Sequence, residues 1–267
     1  MLGSIFYRLD PIVICLVLMG LLLTAEEFGF RLRARTRPDQ DVTEKSDIAL
    51  VLGAILTLLA LLLGFTYVMS QARYDTRRQL VVDEANAIGT AYLRAKTLPE
   101  PRSSEIQELL RQYAALRVEI IGIKDDAPQR IQEVDTRSKH LHGLLWEHVA
   151  ALARQTPNPI TSVFIQSLNE MIDLHAKRLA AYRNRVPLSI YLVLFLVSVI
   201  TMFWLGYYFG RQRQRARIFP LVIALLVGLV MWLILDLDNP KRGTIQASQQ
   251  SLIDLYQDLS QDAPKKP

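Results

Sequence analysis

Cysteine is almost absent from this chain of 267 residues. Cys15 is its single cysteine, which excludes an intrachain disulfide and a metal site built from cysteines. The sequence also lacks a glycine-rich phosphate loop, a nucleophile with a base at a usable spacing, and a cluster of metal ligands. We therefore expect no catalytic residues, no bound metal and no cofactor, and we expect that the protein is not an enzyme.

Charged side chains are missing from four long apolar stretches, at 11–25, 48–72, 186–210 and 218–235. About 20 helical residues cross a hydrocarbon core of roughly 30 Å, so these stretches predict four transmembrane helices. The first stretch is the shortest, and a cleaved signal peptide is the alternative for it. We favour a retained helix because the residues before it contain a single cation, Arg8, and no small-x-small cleavage pattern precedes the acidic pair that ends it.

A net charge of +5 raises the question of a nucleic-acid partner. The cations lie mostly beside the apolar stretches, where such residues set membrane topology or contact anionic lipid headgroups. We therefore expect the lipid bilayer, and no nucleic acid, as the partner of the basic residues.

Two short connections between the apolar stretches are rich in cations, and the positive-inside rule places both in the cytoplasm. These cations are Arg31, Arg33, Arg35, Arg37 and Lys45 in the first connection and Arg211, Arg213, Arg215 and Arg217 in the second. The long insert at 73–185 and both termini then lie on the other side of what we expect to be a bacterial inner membrane. Basic residues at the ends of the insert, together with Lys241 and Arg242, oppose this orientation.

Apolar residues of the insert recur at helical spacing in four segments. They are Val81, Ala85, Ile88 and Tyr92; Ile106, Leu109, Tyr113, Leu116 and Ile120; Val134, Leu141, Leu145 and Leu152; and Phe164, Leu168, Met171 and Leu179. Segments rich in proline and polar residues separate the four. We predict four amphipathic helices in an antiparallel bundle, with the first and the fourth continuous with the second and third transmembrane helices.

The predicted fold class is an all-α integral membrane protein with four transmembrane helices and a helical-bundle insert between spans two and three. Residues 1–72 form the first two spans and their basic connection, and residues 73–185 form the bundle. Residues 186–238 form the last two spans, and residues 239–267 form a polar C-terminal tail.

Three segments of this sequence carry a resemblance to a known protein family. They are VDEANAIGTAYLR at 82–94, LNEMIDL at 168–174 and DLDNPKRGTIQASQQSLIDL at 236–255. They resemble the signature segments of the bestrophin-like membrane proteins, from about the second span to the C terminus. The resemblance implies a distant kinship with bestrophins, which are homopentameric anion channels with four spans per subunit. It also implies a cytosolic helical domain, opposite to the orientation that the connections favour.

The second span supplies candidates for a pore lining. Thr66, Tyr67 and Ser70 place hydroxyl groups in an otherwise apolar helix, and hydroxyl groups can line a passive conduit. No span interior contains an acidic, basic or histidine side chain, which argues against ion-coupled transport. In the insert, Glu84 and Asn86 either line a polar conduit or form hydrogen bonds between helices that fix their register.

Two further pairs lie at the ends of spans. Asp236 and Asp238 either bind a cation, or shape a pore mouth, or are solvated carboxylates where a helix stops, and we favour the last interpretation as the simplest. Gly206 and Gly210 have the small-xxx-small spacing that lets membrane helices pack closely.

Two histidines of the insert, His148 and His175, fall on the inward stripes of neighbouring predicted helices. Such a pair either forms a metal or proton-sensing site or consists of hydrogen-bonded core histidines, and no third ligand is evident.

These observations predict a bestrophin-like, homo-oligomeric channel or pore for the passive movement of small ions, with anions suggested by analogy alone. The alternative is a non-conducting membrane sensor or scaffold whose helical insert binds a partner or a ligand.

Overall fold

The computed structural model describes residues 9–35, 42–123, 128–155, 158–212, 218–240 and 243–262. These ranges contain helices and connections but no strand, so the predicted all-α fold is confirmed. The α-helices are α1 (Pro11–Arg35), α2 (Val42–Ala95), α3 (Arg102–Glu119), α4 (Pro128–Gln155), α5 (Pro159–Arg183), α6 (Leu188–Gln212), α7 (Ile218–Asp238) and α8 (Gln250–Gln261). The cations Arg37, Arg213, Arg215, Arg217, Lys241 and Arg242, which bear on orientation, lie outside the described residues.

The chain divides into two compact units. The membrane unit consists of Met1–Tyr74 and Arg185–Gln246, and the bundle unit consists of Asp75–Asn184 and Ala247–Pro267. Helix α2 begins in the membrane unit and ends in the bundle unit.

The membrane unit contains the four predicted spans. Helices α1, α2, α6 and α7 each include a segment long and apolar enough to cross a bilayer. Their inward side chains form one core, which includes Leu22, Leu59, Leu194 and Met231. Many other large apolar side chains of these helices are exposed, as expected for helices whose outer surface contacts lipid.

The bundle unit has a core of its own, formed by α3, α4, α5, α8 and the second half of α2. Ile88, Ile106, Leu145 and Leu168 are fully buried in it, in agreement with the helical spacing of the insert. Helix α8 also contributes to this core through side chains that include Leu252. The segment predicted as a polar tail therefore contains an amphipathic helix that packs in the bundle unit.

The predicted continuity of the fourth insert helix with the third span was wrong. Helix α5 ends at Arg183 and α6 begins at Leu188, and Asn184 already has an extended backbone. Pro187 explains the break, because proline lacks an N–H and disfavours helical geometry in the residue before it. Helix α2, which contains no proline, is continuous as predicted.

Candidate functional site

Glu84 is the centre of a buried ionic network in the bundle unit. Its side chain is fully buried, and its carboxylate forms ion pairs with Arg117, at 3.0 Å, and with Arg178. Tyr113 donates its hydroxyl hydrogen to Glu84 Oε1 at 2.9 Å. Burial alone would raise the pKa of the Glu84 carboxyl, but the charges of the two arginines and the hydrogen bonds lower that pKa overall. Glu84 therefore joins α2 to α3 and α5 as a charged group.

His175 extends the network from Tyr113 to α4. Its Nδ1 lies 3.2 Å from the Tyr113 hydroxyl, and its Nε2 lies 3.1 Å from Asp135 Oδ1. The other oxygen of Asp135 accepts a hydrogen bond from Lys139 at 2.7 Å. Burial, together with the positive charge of Arg117, lowers the pKa of His175 even though Asp135 acts to raise it.

His142 of α4 lies beside this network without a hydrogen bond to it. Its ring is 4.9 Å from that of Tyr113 and meets the His175 ring edge-on at 5.1 Å. Its Nε2 atom is buried and has no hydrogen-bond partner. Burial, then the charges of His175 and Arg117, lower the pKa of His142 to about 4. The ring is thus held in its neutral form.

The sequence-based pairing of His148 with His175 is not what the structure shows. His148 Nδ1 lies 3.5 Å from Glu105, and His142 takes the place beside His175. The helical spacing of Ser138, His142 and Leu145, all buried, would have identified the correct histidine. In the part of the chain that the structure describes, no group of three potential metal ligands is formed.

Helical spacing did not identify the two arginines of the network, because a charged side chain beside an apolar stripe is usually exposed to solvent. Arg117 follows Tyr113 by one helical turn and is buried. Arg178 follows His175 by three residues, and its second guanidinium nitrogen donates to Gln249 at 3.0 Å. Of the two residues predicted for a polar conduit, Glu84 is in this network and Asn86 is exposed on α2.

The membrane half of α2 has one buried and one exposed face. Thr66 and Ser70 lie on the buried face, and Thr66 donates its hydroxyl to the Leu62 carbonyl at 2.8 Å. Tyr67 is half-buried and packs against the core of the membrane unit. The exposed face carries large apolar side chains, at Leu50, Leu58, Leu61, Phe65 and Val68.

Gly206 and Gly210 lie where α6 approaches α1. A Cβ atom at Gly206 would overlap the carbonyl group of Glu26, and one at Gly210 would lie 2.6 Å from the carbonyl oxygen of Phe30. On α1, a Cβ atom at Gly29 would overlap the carbonyl oxygen of Phe203. Only glycine at these positions lets the two backbones come this close.

The acidic pair at the end of α7 is buried, so the carboxylates are not solvated as the simpler interpretation required. Asp236 accepts hydrogen bonds from the backbone N–H groups of Thr244 and Ile245, both at 2.8 Å. Asp238 accepts the backbone N–H of Val186 at 2.9 Å. Each carboxylate holds a neighbouring chain segment against the end of α7.

Four spanning helices joined to a polar helical bundle define an all-α integral membrane protein. The family model described as the Bestrophin-like domain matches residues 15–252. The chain belongs to the bestrophin-like family, whose relatives the bestrophins are ion channels rather than enzymes.

Solved structures of a bacterial bestrophin homologue share the fold. A point mutant of the homologue from Klebsiella pneumoniae superposes with a TM-score of 0.63 at 13% identity, covering 92% of this chain and 96% of the other. Another crystal structure of the Klebsiella pneumoniae homologue gives a TM-score of 0.61 at 15% identity, covering 95% and 98%. No curated protein matches this sequence significantly.

Proposed function

We propose that this chain is the subunit of a homo-oligomeric channel that lets small ions cross a bacterial inner membrane passively. The observation that carries the proposal is the exposed apolar face of α2, together with membership in a family related to ion channels. An oligomer that turns this face toward a common axis would enclose a conduit. Hydrophobic constrictions of this kind gate conduction by admitting or excluding water.

The lining is assigned to Leu58, Leu61, Phe65 and Val68. A side chain must reach the surface of its subunit to line a conduit between subunits. Thr66 and Ser70 do not, because they are buried within the membrane unit, and the half-buried Tyr67 packs against its core. The exposed residues of α2 therefore replace the three hydroxyl-bearing residues as candidates.

Native mass spectrometry of the full-length protein tests the oligomer, and planar-bilayer recordings test conduction. A closed ring with single-channel currents supports the proposal, and salt gradients with anion replacement then test the analogy with anion channels. A monomer that is electrically silent would overturn it.

Matched substitutions test the lining. Leu61→Ser places a hydroxyl on the exposed face of α2 and should raise the open conductance several-fold, because a polar group favours water in an apolar constriction. Leu196→Ser is the control, since Leu196 is similarly exposed on α6. Equal effects of the two substitutions would exclude α2 as the lining.

A non-conducting sensor or scaffold is the second candidate, and one observation favours it. The bundle unit has an open groove of about 550 Å³, within the usual size range of ligand pockets. Its lining includes Glu100, Arg102, Glu105 and His148. An oligomer that is stable and silent under all ionic conditions would favour this alternative.

A further inference from the structure

Four residues of the bundle unit form a chain of contacts that is one hydrogen short when His175 is neutral. The contacts are Asp135 to His175 at 3.1 Å, His175 to Tyr113 at 3.2 Å, and Tyr113 to Glu84 at 2.9 Å. Each contact needs one hydrogen, and the carboxylates at both ends only accept. A neutral imidazole supplies one hydrogen and the tyrosine supplies another. Protonation of His175 supplies the third and completes the chain.

A proton added to His142 would have no hydrogen-bond acceptor. Its buried Nε2 has no acceptor, and the His175 ring lies only 5.1 Å away. The two nearby carboxylates already have cationic or hydrogen-bonding partners: Glu84 has Arg117 and Arg178, and Asp135 has Lys139 and His175. A second imidazolium would therefore be buried without compensation, which is costly.

Charged and titratable groups reach this site from all four helices around it. They are Glu84 from α2; Tyr113 and Arg117 from α3; Asp135 and Lys139 from α4; and His175 and Arg178 from α5. The buried Arg117 opposes an added positive charge on either histidine, whereas Asp135 favours a proton on His175 through a direct contact. His142 has no comparable contact.

We propose that His175 and His142 form a two-step acid switch in the bundle unit. The first proton enters the contact chain on His175, where each of the three contacts then has its hydrogen. The second proton, on His142, releases α4 from the other helices. The switch responds to the pH of the compartment that contains the bundle unit, and it does not depend on whether the protein conducts ions.

Histidine-selective ¹³C NMR on the full-length protein in lipid nanodiscs tests the order of protonation. The chain has four histidines, at 140, 142, 148 and 175, so four single substitutions assign every signal. We expect His175 to take up its proton at a higher pH than His142. Protonation of His142 first would overturn the proposal.

Hydrogen exchange measures the release of α4 in the same sample. The pKa of His142 is about 4 in the closed state and about 6.5 in the open state. Protonation of His142 alone should therefore lower the amide protection of α4 about thirtyfold between pH 7.5 and pH 5, after correction for intrinsic exchange. The protection should fall steadily from about pH 6.5 to about pH 4, whereas the His142 signal, which reports the closed state, should titrate only near pH 4. Constant protection of α4 over this range would overturn the proposal without any variant.

Substitutions separate the switch from general acid sensitivity. His142→Phe keeps an aromatic ring but takes up no proton, so the fall in α4 protection should shrink to the part that His175, whose pKa is also lowered, contributes. His140→Phe, at an exposed position of the same helix, should behave as the unmodified protein does. An equal fall in His142→Phe and in the unmodified protein would show that His142 is not the second proton site.

Discussion

Asp238, the last residue of α7, accepts the backbone N–H of Val186 through both carboxylate oxygens, at 2.9 and 3.1 Å. Val186 lies in the connection that precedes α6, immediately before Pro187, the residue that interrupts the helix. The Tyr191 hydroxyl donates a further hydrogen bond to Asp238 Oδ2 at 3.3 Å. The membrane unit thus holds the start of one span against the end of another by a buried carboxylate.

Replacing Asp238 should weaken the membrane unit. Asp238→Ala leaves the buried Val186 N–H without an acceptor, so we expect a loss of about 1–3 kcal/mol in the free energy of unfolding. Asp238→Asn keeps an acceptor oxygen and should lose less. Cys15, buried in α1 and the single cysteine, reports unfolding through its reaction with a thiol-specific dye on heating. Asp173→Ala, at an exposed position, is the control and should react as the unmodified protein does.

Glu84→Gln should destabilise the bundle unit strongly. The substitution leaves the buried Arg117 and the partly buried Arg178 without their carboxylate, and breaking a buried ion pair in this way typically costs about 3–5 kcal/mol. Hydrogen exchange of α3 and α5 measures the loss. Glu170→Gln removes an exposed carboxylate from α5 and should change little. Similar exchange in both variants would mean that the network contributes no net stability.

Acid should remove the stabilisation of the folded protein that the ionised Glu84 provides. Its pKa is lowered in the folded protein, so its stabilisation is complete above the ordinary value of 4.5 and is lost as the pH falls below that value toward the folded pKa. Thermal unfolding followed at several pH values between 3 and 6 should show a shallower dependence below 4.5 in Glu84→Gln. An unchanged slope would contradict the ionised state of Glu84.

Gly206→Ala should disturb the contact between α1 and α6. The added methyl group overlaps the carbonyl group of Glu26, so one backbone must move away from the other. We expect a clear loss of thermal stability in the thiol-dye assay. Gly64→Ala is the matched control on another span, because a Cβ atom there has no heavy atom within 4 Å. A loss of equal size in both variants would assign the effect to the helix backbone rather than to packing.

Leu252→Ala tests whether α8 is part of the bundle unit. Leu252 is 1% exposed, and its truncation should cost about 2–5 kcal/mol. Leu93→Ala changes a leucine that is 63% exposed on α2 and should have little effect. Hydrogen exchange of α3 and of α8 measures the difference. Unchanged protection in Leu252→Ala would place α8 outside the cooperative core.

The spans and the bundle helices were predictable because burial in lipid or in a core imposes long, regular patterns on the sequence. Uncharged stretches located the four spans, and the spacing around Ile88 and Leu145 located buried faces. The side of α2 that faces its own unit was not predictable, because apolar residues cover both of its faces. The hydroxyl groups of Thr66 and Ser70 therefore gave no indication that they are buried.

The sequence also could not predict which residues of distant segments contact each other. Asp238 and Val186 are 52 residues apart, and Glu84 and Arg178 are 94 residues apart. Helical spacing places each residue on a face of its own helix but does not say which helix it meets. His148 was for this reason paired with His175, although His142 occupies that position.

Glu84 and Ile88 lie one helical turn apart on α2, and both are fully buried in the bundle unit. In a helix these two residues keep a fixed angular offset of about 40°, since four residues turn the chain through a little more than one full circle. Any axial rotation that repositions Glu84 among its arginines consequently turns Ile88 by the same angle. A substitution in the ionic network therefore also disturbs the apolar packing of the bundle unit, although it changes no apolar residue.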